Sequence, residues 1–215
     1  MTPLYPLFLK LDGARALVVG AGALAADKGR ELLACGARVT FVAPEVGEGV
    51  AELARAHADV EICARAFDDD DVSGARIVIA ATDDEGVNTR VHAAAVRAGA
   101  LVNVVDVPAL CTFYTGGVVR RGPLTVVVGT SGASPSLARR VRLLLEDTLS
   151  PALAPLARAL GDARPALLAR YPNFRARAAV LDAFVAEAID ALDDDATDEE
   201  AAAHVARALL TDEER

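Results

Sequence analysis

The stretch that most limits what this chain can become is Arg15-Ala16-Leu17-Val18-Val19, followed at once by Gly20-Ala21-Gly22-Ala23-Leu24-Ala25. The first five residues are apolar and β-branched enough to form a strand buried on both faces. Ala23–Ala34 is rich in helix formers, and Cys35-Gly36 stops it. A turn of this composition between strand and helix is tight at Gly20, and Gly22 has no side chain to hold a ligand off. Ala25 is small enough to let the helix lie close on the sheet. The free N–H groups and positive dipole end of the helix start favour an anion, and the G-x-G-x-x-A spacing suits the pyrophosphate of a dinucleotide. Taken alone, the motif leaves a tight turn without a ligand open as the alternative.

The alternation continues. Arg38–Val42 and Val60–Cys63 have strand character, as do Ala75–Ala81 and Leu101–Val105. Helical stretches at Val50–His57 and Asn88–Ala98 lie between them. Strands separated by helices of this length predict a parallel sheet with right-handed crossovers, that is, an α/β, Rossmann-like doubly wound domain. Such sheets bind ligands beyond the carboxyl ends of their strands, so the informative residues are those just after each strand. Pro44 and Glu45 follow the second strand, where an acidic residue can bond ribose hydroxyls and repel a 2′-phosphate; this favours NAD over NADP. Thr82 follows the fourth strand and suits either a phosphate or ribose contact or the cap of the next helix. Asp106 ends the fifth, placed either to handle a proton or to serve as a turn residue.

Composition narrows the classes further. The net charge of −9 is uneven: Asp182–Arg215 holds twelve acidic residues against Arg207 and Arg215, a balance of −10. Thr115–Leu181 holds ten arginines against Glu146, Asp147 and Asp162, a balance of +7. Aromatic residues are 4% of the chain and Trp is absent, which disfavours single-stranded nucleic acid as a partner. The acidic end is expected to be a solvated helical face. No apolar run approaches the roughly 20 residues of a membrane span, and Met1–Pro6 lacks the pattern of a signal peptide. Cys35, Cys63 and Cys111 do not pair as Cys-x-x-Cys, so a cytoplasmic protein without disulfides is expected. His57, His92 and His204 share no ligand spacing, and no metal site is expected. There is no serine nucleophile elbow and no phosphate loop of the Gly-Lys-Ser/Thr type.

Beyond residue 106, strands are expected near Thr112–Tyr114 and at Leu124–Val128, with Arg120–Pro123 as the turn between them. Ser134 and Pro135 then open a helix whose apolar side carries Leu137, Val141, Leu144 and Leu145. At this point the chain resembles the precorrin-2 dehydrogenase family, which also forms the N-terminal part of siroheme synthases. The carriers are Tyr5-Pro6-Leu7-Phe8, Val18-Val19-Gly20-Ala21-Gly22, Gly36-Ala37-Arg38-Val39-Thr40, Ala80-Ala81-Thr82-Asp83-Asp84 with Asn88, Asn103-Val104-Val105-Asp106, Arg121-Gly122-Pro123-Leu124 and Ser131-Gly132-Ala133-Ser134-Pro135. In order and in spacing, they are more specific than the glycine turn alone.

The resemblance implies NAD-dependent oxidation of precorrin-2 to sirohydrochlorin, a step toward siroheme. It also implies a homodimer built from a Rossmann-like NAD-binding domain (1–112), a dimerisation region (113–149) and a helical C-terminal domain (150–215). Asp106 matches the residue assigned to catalysis in the family. The family's cofactor contacts fall on Ala23, Leu24, Pro44 and Glu45, beside Gly20, Gly22 and Thr82 from the motif reading. The substrate carries carboxylates around its rim, and Arg120, Arg121 and Arg139 in the basic stretch are candidates to pair with them. Some family members also insert ferrous iron, so a bifunctional dehydrogenase and ferrochelatase is one alternative; a non-catalytic NAD- or tetrapyrrole-binding module is another. The chain departs from the family at Ala21, where a third Gly is common, and at Thr115-Gly116-Gly117, where a Pro-Ala type of sequence is usual. Thr130 keeps the hydroxyl of a position that is often Ser.

Overall fold

The apolar runs become strands because each is buried from both sides. In the computed structural model, which describes residues 4–191 and 193–210, the chain divides into two compact units, Met1–Thr115 and Gly116–Arg215. The first unit contains β1 (Arg15–Val19), α1 (Ala23–Leu33), β2 (Arg38–Val42), α2 (Glu48–Ala56), β3 (Val60–Cys63), β4 (Ile77–Ala80), α3 (Glu85–Arg97) and β5 (Leu101–Val104). All strand pairs are parallel, in the order β3-β2-β1-β4-β5. This is the expected doubly wound α/β sheet, with its reversal of strand order at β1.

Alternate residues of β1 feed opposite cores. Ala16 and Val18 join Ala25, Ala26, Val39, Phe41, Val50 and Ile79 on the face covered by α1 and α2. Leu17 and Val19 join Val42, Val78, Val91, Ala94, Val102 and Val104 on the face covered by α3. Continuous apolarity is therefore what a strand sandwiched between two helical layers requires. Ala25 is fully buried, as its small size anticipated, but α1 also relies on Gly29. A Cβ at Gly29 would stand 2.3 Å from Cζ of Phe41, so only hydrogen fits between this helix and β2.

Several boundaries differ from the sequence reading. Helix α3 starts at Glu85 rather than Asn88 because the Asp84 carboxylate caps it, accepting from the N–H groups of Gly86 and Val87 at 2.8 and 2.9 Å. Asp84 thus takes the capping role that was one of two readings of Thr82. The second strand pair is also shifted. Thr112–Tyr114 is not a strand of the later hairpin; Thr112 bonds back to Val102 on β5 instead. The hairpin is β6 (Gly117–Arg121) against β7 (Leu124–Val128), so Arg120 and Arg121 lie in a strand and only Gly122-Pro123 forms the turn. Gly122 has φ of +56°, which suits the first position of a two-residue hairpin turn.

In the second unit, α4 (Pro135–Thr148) packs on β6 and β7, and its N-terminus is as expected: Ser134 Oγ accepts from Leu137 N–H at 3.2 Å, and Pro135 is the first helical residue. Helices α5 (Leu153–Arg170), α6 (Phe174–Ala191) and α7 (Asp198–Val205) enclose Leu156, Leu167, Phe184, Ala188 and Val205. The acidic residues of α6, Asp182, Glu187 and Asp190, are exposed, in keeping with a solvated face. The β6–β7–α4 layer is different. Of its described residues only Val119 is buried, while Val127, Leu137 and Leu144 are about half exposed.

The β3–β4 connection is pinned by ion pairs. Arg65 holds Asp71 through two hydrogen bonds of 2.6 and 2.8 Å, and Arg90 and Arg97 converge on Asp69. The guanidinium of Arg65 lowers the Asp71 carboxyl below its ordinary value of 3.8, against the opposing effect of burial. A depressed folded value means that the contribution of Asp71 is complete at neutral pH and is lost as pH falls through the carboxylate range. Asp71→Asn should therefore lower Tm at pH 7, and the difference from wild type should shrink steadily on acidification, as followed by thermal melts.

Candidate functional site

The carboxyl ends of the strands are level. Val19 at the end of β1 stands opposite Val42 and Ala80, and Ala80 stands opposite Val104. The residues that follow consequently emerge on one rim: Gly20–Leu24 after β1, Pro44 and Glu45 after β2, Thr82 after β4 and Asp106 after β5. With neighbouring strands about 4.8 Å apart, β5 runs roughly 10 Å from β1. Sequence positions more than 80 apart share one edge of the sheet.

The glycine turn has the geometry its composition implied. Gly20 has φ of +111°, and a Cβ there would lie 2.2 Å from the carbonyl oxygen of Ala81. Both facts exclude any larger residue. Gly22 is exposed and is the N-cap of α1; among the described residues no side chain caps the helix start, and a Cβ built on Gly22 would meet nothing within 4 Å. Ala23 and Leu24 follow it and are also exposed. The first turn of α1 therefore presents backbone N–H groups and the positive end of its dipole to an open surface, the arrangement that holds a pyrophosphate.

The loop after β2 is tied to this turn. Gly47 donates its N–H to the carbonyl oxygen of Ala21 at 3.0 Å, and a Cβ on Gly47 would come within 2.6 Å of that oxygen. Pro44 and Glu45, both exposed, are held on the same rim by this bond. Gly47 was not singled out from sequence, since a glycine opening a helix carries no pattern that names its partner.

Thr82 is fixed from behind. Its hydroxyl donates to Oδ1 of the buried Asn88 at 2.8 Å, and Nδ2 of Asn88 donates to the Thr82 carbonyl at 2.9 Å. Asp106 is exposed at the rim and has φ of +60°, one of two non-glycine residues with positive φ among those described. Asp tolerates this left-handed conformation better than most residues, yet it still costs about 1 kcal/mol. Asp106 lies in a turn closed by the bond from Val107 N–H to the Val104 carbonyl, and a conformation of this kind persists where the surrounding structure determines it.

The candidate arginines lie in the second unit. Arg121 directs three of its donors at backbone carbonyls, those of Leu149 (3.0 Å), Glu146 (2.6 Å) and Arg120 (3.2 Å), and so closes the C-terminal end of α4. Arg120 and Arg139 are exposed, and Arg142 pairs with Glu146. Among the described residues, no group of three or more His, Cys, Asp or Glu could hold a metal ion.

Residues 7–117 match the model of a protein family described as "Putative NAD(P)-binding". The chain belongs to that family. The bare helix start at Gly22 and the crowded turn at Gly20 fit the dinucleotide which such a domain takes. Among curated proteins, the chain is similar to siroheme synthases. It is 45% identical over 172 residues to that of Pseudomonas entomophila (strain L48), an alignment covering 80% of this chain and 37% of the relative. It is 41% identical over 172 residues to that of Methylococcus capsulatus (strain Bath), covering 80% and 36%. The chain thus spans just over a third of the length of these relatives. Among solved structures, one titled "SirC, precorrin-2 dehydrogenase" superposes with a TM-score of 0.75 over 95% of this chain and 98% of its own, at 22% identity. That likeness extends the Rossmann-like sheet and the helical C-terminal region to a known fold.

As an NAD(P)-binding domain, the chain should be sensitive to a single methyl group at the turn. Gly20→Ala should weaken dinucleotide binding by about tenfold or more, because a Cβ 2.2 Å from the Ala81 carbonyl oxygen forces the turn, and with it the start of α1, out of place. NADH fluorescence titration beside a melting curve would measure it; unchanged affinity in a folded variant would show that the turn is not the binding site.

Proposed function

We propose that this chain oxidises precorrin-2 to sirohydrochlorin with NAD⁺, in the synthesis of siroheme. The observation that carries this reading is Asp106, exposed and in a left-handed conformation, on the same rim as the bare glycine turn of an NAD(P)-binding domain. The names of the siroheme synthase relatives and of the SirC structure support the choice of substrate.

The reaction removes one hydride and one proton from the macrocycle. A bound nicotinamide supplies the hydride acceptor. Gly20, Gly22, Ala23 and Leu24 hold the pyrophosphate through backbone groups, and Pro44 and Glu45 border the ribose. Thr82, braced by Asn88, lines the middle of the rim. Asp106 receives the proton or orients the carbon that loses it. Arg120, Arg121 and Arg139 are assigned to the substrate carboxylates, with Arg121 also fastening α4.

The exposed apolar residues Val127, Leu137 and Leu144 support a homodimer formed through residues 113–149, because a layer with one buried residue gains stability from a partner that covers it. We divide the chain accordingly into 1–112, 113–149 and 150–215. We place the enzyme in the cytoplasm, without membrane or nucleic acid as partner. No described helix is long and apolar enough to cross a membrane.

Asp106→Asn tests the assignment, because Asn also accepts a left-handed conformation and should leave the fold intact. The variant should bind NAD⁺ as before and turn over precorrin-2 about a hundredfold more slowly or worse, followed by NADH absorbance. Normal turnover would remove Asp106 from the mechanism. Cofactor choice has a separate test at Glu45. NAD⁺ should bind at least about tenfold more tightly than NADP⁺, a difference of roughly 1.4 kcal/mol, and Glu45→Gln should narrow the gap in calorimetric titration.

A further inference from the structure

The loop that carries Asp106 is closed by hydrogen bonds from its two ends. Strand β5 is the edge of the sheet, and among the described residues no sixth strand pairs with it. Thr112 takes that place with both its main chain and its side chain. Its N–H donates to the Val102 carbonyl at 2.8 Å, its Oγ1 accepts from Val102 N–H at 2.8 Å, and the hydroxyl donates to the Val102 carbonyl at 3.2 Å. One step further on, Asn103 Nδ2 donates to the Phe113 carbonyl at 3.0 Å. Within the loop, the Cys111 thiol lies 3.2 Å from the carbonyl oxygen of Val104 and 3.4 Å from that of Val107, on either side of Asp106.

The Thr112 hydroxyl stands in for a backbone carbonyl. In a regular parallel ladder, Val102 N–H would meet a main-chain oxygen of the neighbouring strand. Here a side chain supplies that acceptor, so the chain can turn away at residue 113 without leaving the edge amide unpaired. The same three bonds fix the ends of residues 103–111 against each other. Inside that span, Val107 N–H bonds the Val104 carbonyl at 3.2 Å and Leu110 N–H bonds the Val107 carbonyl at 2.9 Å. Asp106 keeps an unfavoured backbone conformation only while such surroundings determine it.

We propose that Thr112 is a positioning residue for the reaction: its hydroxyl closes the loop that sets the direction of the Asp106 carboxylate. This rests on the role given to Asp106 above. Thr112 touches neither cofactor nor substrate in this scheme and acts through the loop alone. Thr112 is absent from the sequence reading of the site because its partner is a backbone amide ten residues away, which no side-chain pattern reveals.

Thr112→Val keeps the shape and the backbone N–H but removes the hydroxyl, while Thr112→Ser keeps the hydroxyl. With purified full-length chain, precorrin-2 and NAD⁺, Thr112→Val should lower kcat by about tenfold or more, the scale on which slight misplacement of a reacting group acts. KM and NAD⁺ affinity should hold, and Thr112→Ser should restore kcat. Amide hydrogen exchange should quicken at Val107 and Leu110 in Thr112→Val and stay unchanged in β1. Wild-type kcat in a folded Thr112→Val, or equal losses in the Val and Ser variants, would overturn the proposal. Should Thr112→Val fail to fold, Cys111→Ala, which removes the thiol bonds flanking Asp106, is held to the same kcat criterion. If Asp106→Asn is impaired while Thr112→Val is not, only the positioning role fails. If Asp106→Asn turns over normally, the role of Asp106 itself fails and the positioning role falls with it.

Discussion

Where β1 leaves the sheet it runs between two neighbours, and the next residue must pass within 2.2 Å, measured from a Cβ position, of the Ala81 carbonyl oxygen. The Gly20 N–H meanwhile bonds the Val42 carbonyl at 2.9 Å on the opposite side. The chain is thus threaded between the ends of β2 and β4 with no room for a side chain. This crowding brings α1 to the sheet with its bare first turn on the rim. It also sets the level at which the β2, β4 and β5 loops arrive, since all three strands keep register with β1 or with its neighbour.

Around that fixed point, the rim residues are held by partners that do not line it. Gly47 ties the Glu45 loop to Ala21, Asn88 fixes both ends of Thr82, and Thr112 and Cys111 close the loop of Asp106. Each support is a hydrogen bond to or from the backbone, except for the Thr82–Asn88 side-chain pair. The rigid part of the domain therefore reaches past the strands into the loops. A loop would otherwise contribute motion at the rim where, in the function proposed above, a dinucleotide and a proton acceptor are held in relation.

Much of this was legible in the sequence because it rests on local rules. Five apolar runs with helices between them specify the parallel sheet, and the G-x-G-x-x-A turn specifies where the order reverses. Ser134-Pro135 announced the start of α4. What escaped was long-range pairing. Nothing at Gly29 says that Phe41 lies against it, and nothing at Thr112 says that its hydroxyl serves Val102. The strand expected at Thr112–Tyr114 was a reasonable reading of β-prone residues, but their pairing partner was the edge of the first sheet and not the hairpin. The start of α3 was missed for a smaller reason: Asp84 outcompeted later residues as the cap.

Cys111 has a chemical consequence beyond the bonds it makes. Burial pushes its thiol above the ordinary cysteine value. At neutral pH the sulfur therefore stays protonated, and a protonated thiol is a poor target for peroxides and alkylating agents, which attack the thiolate. Securing this loop with an unreactive sulfur gives it durability against reagents that would disable an acidic, surface-lying cysteine.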